Sequence, residues 1–261
     1  MFAPNDRYLY AAPPLIETIC QLRFPAILSI GAQEPVAFQE AIREDYPRYM
    51  PRQDQPAPKI SGLNTPNPVV ETQKPVTNYN FISQDNRWKV NLTSGFIALS
   101  TVGYTRWEDF AGRLDKILAQ FIPLYKPAFF ERLGLRYVNA FSRNRLRLTE
   151  SGWDELIQPA YLGLMAEPDV AEKSITKCAL DVEMALGEEY KLKLHAGPGL
   201  LGDGKQDPEV KFILDNDLSA AGSIPADHVP GHLLAMHDYA NRVFRGAITS
   251  QLHMAMGPTP I

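Results

Sequence analysis

The sequence predicts an α+β protein with a mainly antiparallel sheet that carries its helices on one face, in a saddle-like arrangement. The first observation behind this prediction is the alternation of apolar and polar residues along the candidate strands, which is typical of a sheet with one wet face. The second is the order of elements, because each half of the chain runs strand, helix, three strands, helix. We therefore expect two pseudo-equivalent halves, residues 1–126 and 127–261, in one compact unit.

In the first half, β-branched and aromatic residues predict an opening strand at residues 15–24, and apolar spacing predicts a helix at residues 34–46. Seven prolines between Pro47 and Pro75 predict a long loop with little regular structure. Turn signals then separate three predicted strands, at residues 76–82, 87–93 and 96–102. An amphipathic helix follows at residues 107–125.

The second half begins with a predicted long strand at residues 129–141, followed by one or two short helices around residues 153–165. Three more strands are predicted at residues 174–186, 189–195 and 209–217, and a stripe of apolar residues predicts one long helix over residues 229–255. The tripeptides Leu22-Arg23-Phe24 and Leu135-Arg136-Tyr137 stand at matching places in the two halves, which supports an internal duplication.

The predicted strands separate apolar from charged side chains. In the strand at residues 174–186, for example, Leu180 and Val182 alternate with Asp181 and Glu183. Because successive side chains of a strand point to opposite faces, this pattern predicts an apolar face beneath the helices and a broad polar face with both signs of charge.

The composition excludes several classes of protein. Hydrophobic residues make up 45% of the 261, and 26 Lys+Arg against 30 Asp+Glu give a formal net charge of −4. A mildly acidic chain disfavours nonspecific nucleic-acid binding, although a local basic patch would still allow it. The chain shows neither a secretory signal pattern nor an apolar stretch long enough to span a membrane, so we expect a cytoplasmic protein. Cys20 and Cys178 are interpreted as buried thiols.

Several motifs that suggest chemistry fail on inspection. Residues 197–202 fit the pattern GxGxxG, but Gly204 and Pro208 interrupt the helix that a dinucleotide site needs, so we interpret the segment as a hairpin loop. The potential metal ligands between Asp227 and His232 are better explained as the start of a helix. Asp181 and Glu183 are better explained by cross-strand charge pairs with nearby lysines than by a metal or glycosidase site.

Three segments, taken together, resemble a known family. The opening PPLIETICQLRF, the central RLGLRYVNAF and the final LLAMHDYANRVFRGAIT are similar, in order and spacing, to a sporadically distributed family of uncharacterised prokaryotic proteins of about this length. That family shows a PPxxE opening, an LRYxN centre and a terminal helix with His and Phe. The resemblance brings no activity with it, and it implies these signature positions: Glu17, Arg23, Arg136, Asn139, His237 and Phe244.

The signature residues have structural interpretations as well as functional ones. Arg23 and Arg136 could bind a carboxylate or phosphate, but we favour ion pairs that bridge the two halves or cap chain ends. Asn139 is expected to satisfy buried backbone, and His237 is expected to be a hydrogen-bonded core histidine. Glu17 and Arg23 share one side of a strand but stand roughly 20 Å apart, so each needs another partner.

Two classes of function follow from the predicted surface. We favour a non-enzymatic protein- or peptide-binding module that uses the open polar face, rimmed by the loops at residues 47–75 and 197–204, without a cofactor. The alternative is a nucleic-acid-binding module or a phosphate-recognising enzyme that uses the basic side chains of that face. No catalytic or metal-binding residue is predicted, and the candidate binding residues are Glu17, Arg23, Lys89, Arg136, Lys191 and Lys193.

Overall fold

The computed structural model describes residues 2–55, 59–61, 69–71, 75–202 and 205–261. In chain order, the strands of this part of the chain are β1 (Tyr8–Tyr10), β2 (Leu15–Arg23), β3 (Arg48–Asp54), β4 (Lys59–Ser61), β5 (Val69–Glu71), β6 (Val76–Ile82), β7 (Trp88–Leu92), β8 (Phe96–Thr101), β9 (Phe130–Phe141), β10 (Leu180–Leu186), β11 (Tyr190–Gly199), β12 (Lys211–Ile224) and β13 (Pro258–Pro260).

The helices of this part of the chain are also given in chain order. They are α1 (Leu28–Ala32), α2 (Val36–Ile42), α3 (Trp107–Tyr125), α4 (Arg143–Leu146), α5 (Trp153–Leu156), α6 (Val229–Ala247) and α7 (Ser250–Ala255). Short 3₁₀ turns lie at Pro159–Tyr161, Gly163–Ala166, Glu172–Ser174 and Ala226–His228.

Nine strands form one sheet in the order β10-β11-β12-β9-β2-β8-β7-β6-β3, and every neighbouring pair is antiparallel. This confirms the predicted α+β class with an antiparallel sheet. The strands β2 and β9 meet in the middle, with β8, β7 and β6 of the first half beside β2 and β12, β11 and β10 of the second half beside β9, in mirrored order. Two equivalent halves would give this arrangement, while their origin by duplication stays a prediction.

One face of the sheet forms the core together with the two long helices. Cys20 and Leu22 of β2 and Phe24, which follows the strand, are buried on this face. The ring of Phe121 in α3 lies 5.2 Å from that of Phe24, and α6 contacts β9 and β12. Both long helices therefore pack on the same side, as the apolar stripe of the strands predicts.

The opposite face is polar. Arg23, Arg136, Lys191 and Lys193 are exposed on it, while Glu17 is half-buried. The predicted division of the sheet into an apolar and a polar face is confirmed, because each of these side chains alternates with a core residue on its strand.

The proline-rich stretch departs from the prediction. Residues 48–54, which were expected to be loop, form β3 and pair with β6, so that Pro51 lies opposite Tyr79. A proline lacks the N–H that a central strand needs, and β3 tolerates one because it is the edge strand of the sheet. The short strands β4 and β5 also pair here, and residues 56–58, 62–68 and 72–74 of the expected loop lie outside the described residues.

The single long helix predicted at residues 229–255 is wrong. The chain leaves the helix at Ile248, whose backbone is extended and forms a bridge with Ile157. Thr249 then caps α7, because its hydroxyl accepts a hydrogen bond from the Leu252 amide. The spacing of apolar residues did not reveal this interruption, because α6 and α7 both bury residues at helical spacing and the pattern runs on from one helix into the next.

Three further elements have boundaries that differ from the predicted ones. The strand predicted at residues 174–186 begins only at Leu180, because the preceding chain leaves the sheet and Cys178 contacts the carbonyl of Leu162. Cys178 is consequently half-buried, while Cys20 is buried as expected, and both thiols are free. The strand β12 runs to Ile224, well beyond the predicted residue 217, and the helix predicted at residues 34–46 covers only Val36–Ile42.

The glycine pattern at residues 197–202 does not precede a helix. Gly197 and Gly199 belong to the last residues of β11 that pair with β12, and the described residues between 205 and 210 contain no helical turn. Gly197 has a packing role, because a Cβ atom there would lie 2.5 Å from the carbonyl oxygen of Cys178.

We therefore expect Gly197→Ala to lower the free energy of unfolding by about 2 kcal/mol, since backbone on both sides must shift to admit the methyl group. Gly112→Ala is the matched control. It lies in α3 with open space around it, so alanine should stabilise the helix by roughly 0.5–1 kcal/mol. Urea denaturation of both variants measures the difference, and a Gly197→Ala protein as stable as the parent would contradict the prediction.

Candidate functional site

A cavity of about 410 Å³ lies between the core face of the sheet, α6 and the N-terminal segment of the chain. The sheet contributes Asn139 from β9 and Asn216 from β12, and α6 contributes Ala240 and Phe244. Its size falls within the range of small-molecule sites in proteins, and its lining is mostly apolar with a few polar groups.

The N-terminal segment closes one side of the cavity. Strand β1, Tyr8–Tyr10, lines it and is paired antiparallel with β13, so the last described residues of the chain hold the first strand in place. The hydroxyl of Tyr10 lies 3.0 Å from Nδ1 of His253 in α7, which anchors the strand a second time. Residues near the two chain ends thus build this wall together.

A β-bulge brings the next segment into the cavity wall. Leu15 pairs with Asn139 and Glu17 with Val138, so Ile16 is the extra residue in β2. Leu15 and Glu17 would share a face in a regular strand, but the bulge places Leu15 against the cavity.

Polar side chains line up on three neighbouring strands beneath α6. Thr18, Tyr137 and Asn216 are direct cross-strand neighbours on β2, β9 and β12. The hydroxyl of Tyr137 lies 2.9 Å from Nδ1 of His237 in α6, and the indole of Trp107 stacks on the imidazole with ring centroids 4.6 Å apart. A row of polar groups therefore crosses an otherwise apolar core.

This polar row is incompletely hydrogen-bonded. Within the described residues, Thr18 Oγ1, Asn216 Oδ1 and His237 Nε2 are buried and have no hydrogen-bond partner. An unsatisfied buried polar atom costs about 1–3 kcal/mol, and native proteins retain few of them. Two of these three residues, Asn216 and His237, line the cavity.

The imidazole is neutral at physiological pH. Burial, together with the smaller effect of the positive charge of Arg7, lowers the pKa of His237 to about 4. Burial also raises the pKa of the Tyr137 hydroxyl well above its ordinary value. The Tyr137–His237 pair is therefore an uncharged hydrogen bond in the wall of the cavity.

Three signature residues from the sequence meet at this cavity. Asn139 donates a hydrogen bond from Nδ2 to the carbonyl oxygen of Leu214 at 3.2 Å, which confirms the structural interpretation of that amide. His237 is a buried, hydrogen-bonded histidine, as expected, and Phe244 stacks on Phe141. All three nevertheless line the cavity, so each combines a structural role with a place in the cavity wall.

Sequence reasoning missed the other polar lining residues. Asn216 occupies an apolar register position of β12, between Leu214 and Leu218, and this break in the alternation was the available signal. Tyr10 and Tyr104 carried no signal, because their segments have no periodic pattern and reach the cavity only through the tertiary fold.

The charges of the polar face are largely paired with one another. Arg136 binds Asp215 in bidentate fashion, with Nε donating to Oδ1 at 2.8 Å. This corrects the expectation of a bridge between the halves, because Asp215 belongs to the neighbouring strand of the same half. Lys193 binds Glu183 at 2.6 Å, which confirms a cross-strand pair.

The remaining carboxylates of that region have other partners than expected. Asp181 lies 2.7 Å from Nδ1 of His195, and Lys211 is buried beside Asp207 and Glu209 away from Asp181 and Glu183. Cross-strand charge pairs are therefore present at both Asp181 and Glu183, as predicted, but the partner is a lysine only for Glu183 and is a histidine for Asp181.

The other predicted binding residues are not brought together with these. In the part of the chain that the structure describes, Arg23, Lys89 and Lys191 take part in no ion pair, so the expected carboxylate partner of Arg23 is wrong. Arg23 instead stands directly opposite Arg132 of β9. Glu17 is close enough to Arg136 for electrostatic attraction only.

Metal ligation finds no support in the described residues, where no group of three or more His, Cys, Asp or Glu side chains is arranged around a common point. The cluster between Asp227 and His232 forms the start of α6, as its sequence predicts. Nδ1 of His232 lies 3.0 Å from the hydroxyl of Tyr190.

A scan against protein-family models finds no match for this chain, and a search of curated proteins finds no relative. The family resemblance carried by the three sequence segments therefore stays a prediction. Among the described residues, no helix has the length and apolar character needed to cross a membrane.

The two signature arginines should differ in their effect on stability. We expect Arg136→Ala to lower the free energy of unfolding by about 1 kcal/mol, because it leaves the carboxylate of Asp215, 16% exposed, without its partner. Arg23→Ala should change it by less than about 0.5 kcal/mol. Chemical denaturation measures both, and equal losses in the two variants would show that the Arg136–Asp215 pair is not the cause.

His237 should make stability depend on pH. Its pKa is near 4 in the folded chain and near 6.5 in the unfolded chain, so only the unfolded chain takes up this proton between those values. The free energy of unfolding should therefore fall as the pH drops from 6.5 to 4. Arg7, Glu108 and Asp238 are the charged groups that influence the imidazole, and Arg7 opposes protonation.

His237→Gln should remove about 2 kcal/mol of that pH-dependent loss. His228→Gln is the control, since His228 is exposed at the start of α6. Denaturation midpoints at pH 7, 5.5 and 4.5 measure the effect, and parallel pH profiles for the parent and His237→Gln would refute it.

Proposed function

We propose that the protein is a binding module for a small molecule, which occupies the cavity between the N-terminal segment, the sheet and α6. The observation that carries this proposal is the coincidence of a cavity of about 410 Å³ with two lining residues, Asn216 and His237, whose buried polar atoms have no partner. A well-packed core would remove such a cavity, and a purely structural polar network would satisfy its members.

The chemistry of the lining favours binding over catalysis. His237 holds a neutral imidazole whose Nδ1 is engaged by Tyr137, and its low pKa makes it a weak proton acceptor at neutral pH. Among the described residues, the lining includes no cysteine, serine, lysine or carboxylate, and the hydroxyl of Thr105 donates a hydrogen bond to Asp109 at 2.7 Å at an exposed position.

The proposal is tested by filling the cavity. Ala240 is buried in α6 and lines the cavity, so Ala240→Phe places a ring inside it without replacing a polar group. Leu234→Phe is the matched control, because Leu234 lies on the same helix and is 49% exposed to solvent.

We expect a library of small fragments, screened by ligand-observed NMR against the full chain, to give hits that Ala240→Phe loses and Leu234→Phe keeps. Ala240→Phe should change stability by no more than about 1 kcal/mol, because the ring enters space that is already present. Hits that bind both variants equally, or an absence of hits on the parent, would contradict a ligand site in this cavity.

A second candidate is the protein or peptide partner expected on the polar face. What supports it is the pairing of Arg23 directly opposite Arg132, since like charges at opposed positions destabilise a sheet unless an anion lies between them. Asp217 neutralises Arg132 in part, at 3.5 Å. The carboxylates of Asp181, Glu183, Asp215 and Asp217 on the same face disfavour the polyanionic alternative, a nucleic acid.

Binding of a glutamate-rich peptide and of a single-stranded DNA, both fluorescently labelled and titrated at low ionic strength, separates these alternatives. We expect weak binding of the peptide that Arg23→Gln reduces at least threefold and Arg147→Gln leaves unchanged, since Arg147 is exposed away from the sheet. Tighter binding of the DNA would favour the nucleic-acid alternative, and a peptide affinity insensitive to Arg23→Gln would contradict a site at these arginines.

A further inference from the structure

We propose, building on the proposed function, that the ligand of the cavity is an uncharged, flat heterocycle that carries a hydrogen-bond donor and an acceptor side by side, as a lactam or a nucleobase does. The cavity restricts the ligand in charge, in shape and in hydrogen bonding, and each restriction comes from different residues.

The restriction on charge comes from a lining without ionised groups. In the part of the chain that the structure describes, no arginine, lysine, aspartate or glutamate contributes to it, and the histidine that does, His237, is neutral at physiological pH. Two basic side chains act on the lining residues without belonging to the lining. Arg7, whose charge affects Tyr104, Tyr137 and His237, is paired with Glu108 at 2.8 Å, and Arg245 of α6 hydrogen-bonds Tyr10 and contacts His253. A carboxylate, phosphate or ammonium group would lose its hydration here without gaining a counter-charge, which disfavours charged ligands strongly.

The restriction on shape comes from rigid flat walls. Tyr10 of β1 and Phe244 of α6 meet edge to face, with ring centroids 5.8 Å apart, and Tyr104 meets Tyr137 in the same way at 5.8 Å. Pro13 and Pro14 complete the N-terminal side. The aromatic rings are planar and the proline rings are rigid, so these walls have little conformational freedom and favour a flat ligand that stacks on an aromatic ring over a flexible chain.

The restriction on hydrogen bonding comes from the amides of the sheet. Asn216 holds a buried carbonyl oxygen without a partner among the described residues, so the ligand should supply a donor to it. Asn139 donates one N–H of its side-chain amide to the carbonyl of Leu214. The same nitrogen carries a second hydrogen, which a ligand carbonyl could accept. The two asparagines stand on neighbouring strands, two register positions apart, and together they suit a donor and an acceptor on one edge of a ring.

A purely apolar ligand fits this site less well. Filling the cavity with hydrocarbon would leave the Asn216 oxygen buried and unsatisfied, whereas a ligand N–H satisfies it. Sites built to bind a polar hydrogen discriminate against analogues that lack it more strongly than apolar pockets discriminate by size.

The test uses four probes that differ in one property at a time. They are quinolin-2(1H)-one, which has the lactam edge; its N-methyl derivative, which keeps the carbonyl but lacks the donor; naphthalene, which has the shape alone; and quinoline-2-carboxylate, which is charged. Affinities for the full chain are measured by ligand-observed NMR. We expect the lactam to bind at least tenfold more tightly than each of the other three.

Asn216→Leu then identifies the residue that reads the donor. It replaces the amide by an apolar group of similar volume, so we expect the preference of the lactam over naphthalene to fall to about twofold or less. Asn91→Leu is the matched control, since Asn91 belongs to the same sheet but hydrogen-bonds Asn80 on the polar face, and it should leave the preference unchanged. The comparison of the lactam with its N-methyl derivative on the parent protein needs no variant, so it holds even where Asn216→Leu fails to fold.

The outcomes separate the ligand class from the cavity itself. Naphthalene binding as tightly as the lactam, with both lost in Ala240→Phe, would overturn the heterocycle and support the cavity. Tightest binding by the carboxylate, or binding by none of the four probes, would also overturn the ligand class. Whether the cavity binds ligands at all is tested separately, by the fragment screen with Ala240→Phe and Leu234→Phe.

Discussion

The antiparallel pairing of β2 with β9 decides which side chains reach the core and which reach solvent across the centre of the sheet. Its register places Cys20 against Leu135 on the buried face and sets Ile19 opposite Arg136 on the polar one. A shift of one residue would exchange the faces along either strand, burying arginines and exposing leucines. The neighbouring strands β8 and β12 inherit this parity through their own ladders, so one pairing organises the surfaces of both halves.

The same parity creates the polar row in the core. Thr18, Tyr137 and Asn216 occupy buried register positions, where the rest of each strand is apolar, and α6 contributes His237 to the row. Burying these groups costs free energy that apolar residues of similar size would not. Their hydrogen-bonding capacity is only partly used within the described chain, and Tyr137, Asn216 and His237 border the cavity. A row of polar groups with spare hydrogen-bonding capacity beside empty space is the arrangement that ligand sites use to combine affinity with selectivity.

The two faces of the sheet differ in how charge is distributed on them. On the polar face, Arg136, Lys193 and His195 each lie beside a carboxylate on the adjacent strand, so these charges are compensated locally. The uncompensated charge of this face comes from Arg23, Lys89 and Lys191, which form no ion pair within the described chain. On the buried face, the polar groups of the described residues around the cavity are uncharged, namely Thr18, Tyr137, Asn139, Asn216 and the neutral imidazole of His237. Cross-strand ion pairs exposed to water add little stability, which leaves the apolar packing of α3 and α6 as the main support of the fold.

By itself, the sequence determined the α+β class, the positions of most central strands, the division of the sheet into two faces and both long helices. These properties depend on local periodicity, and Leu180, Asp181 and Val182 display it without any knowledge of neighbours. It also pointed to Asn139, His237 and Phe244, although not to what they have in common. Only the tertiary structure decided that they share one cavity with Tyr10 and Asn216. Contacts such as β1 with β13, the bulge at Ile16 and the partner of Arg136 join residues far apart in the chain, and no local pattern encodes which distant segment will lie alongside.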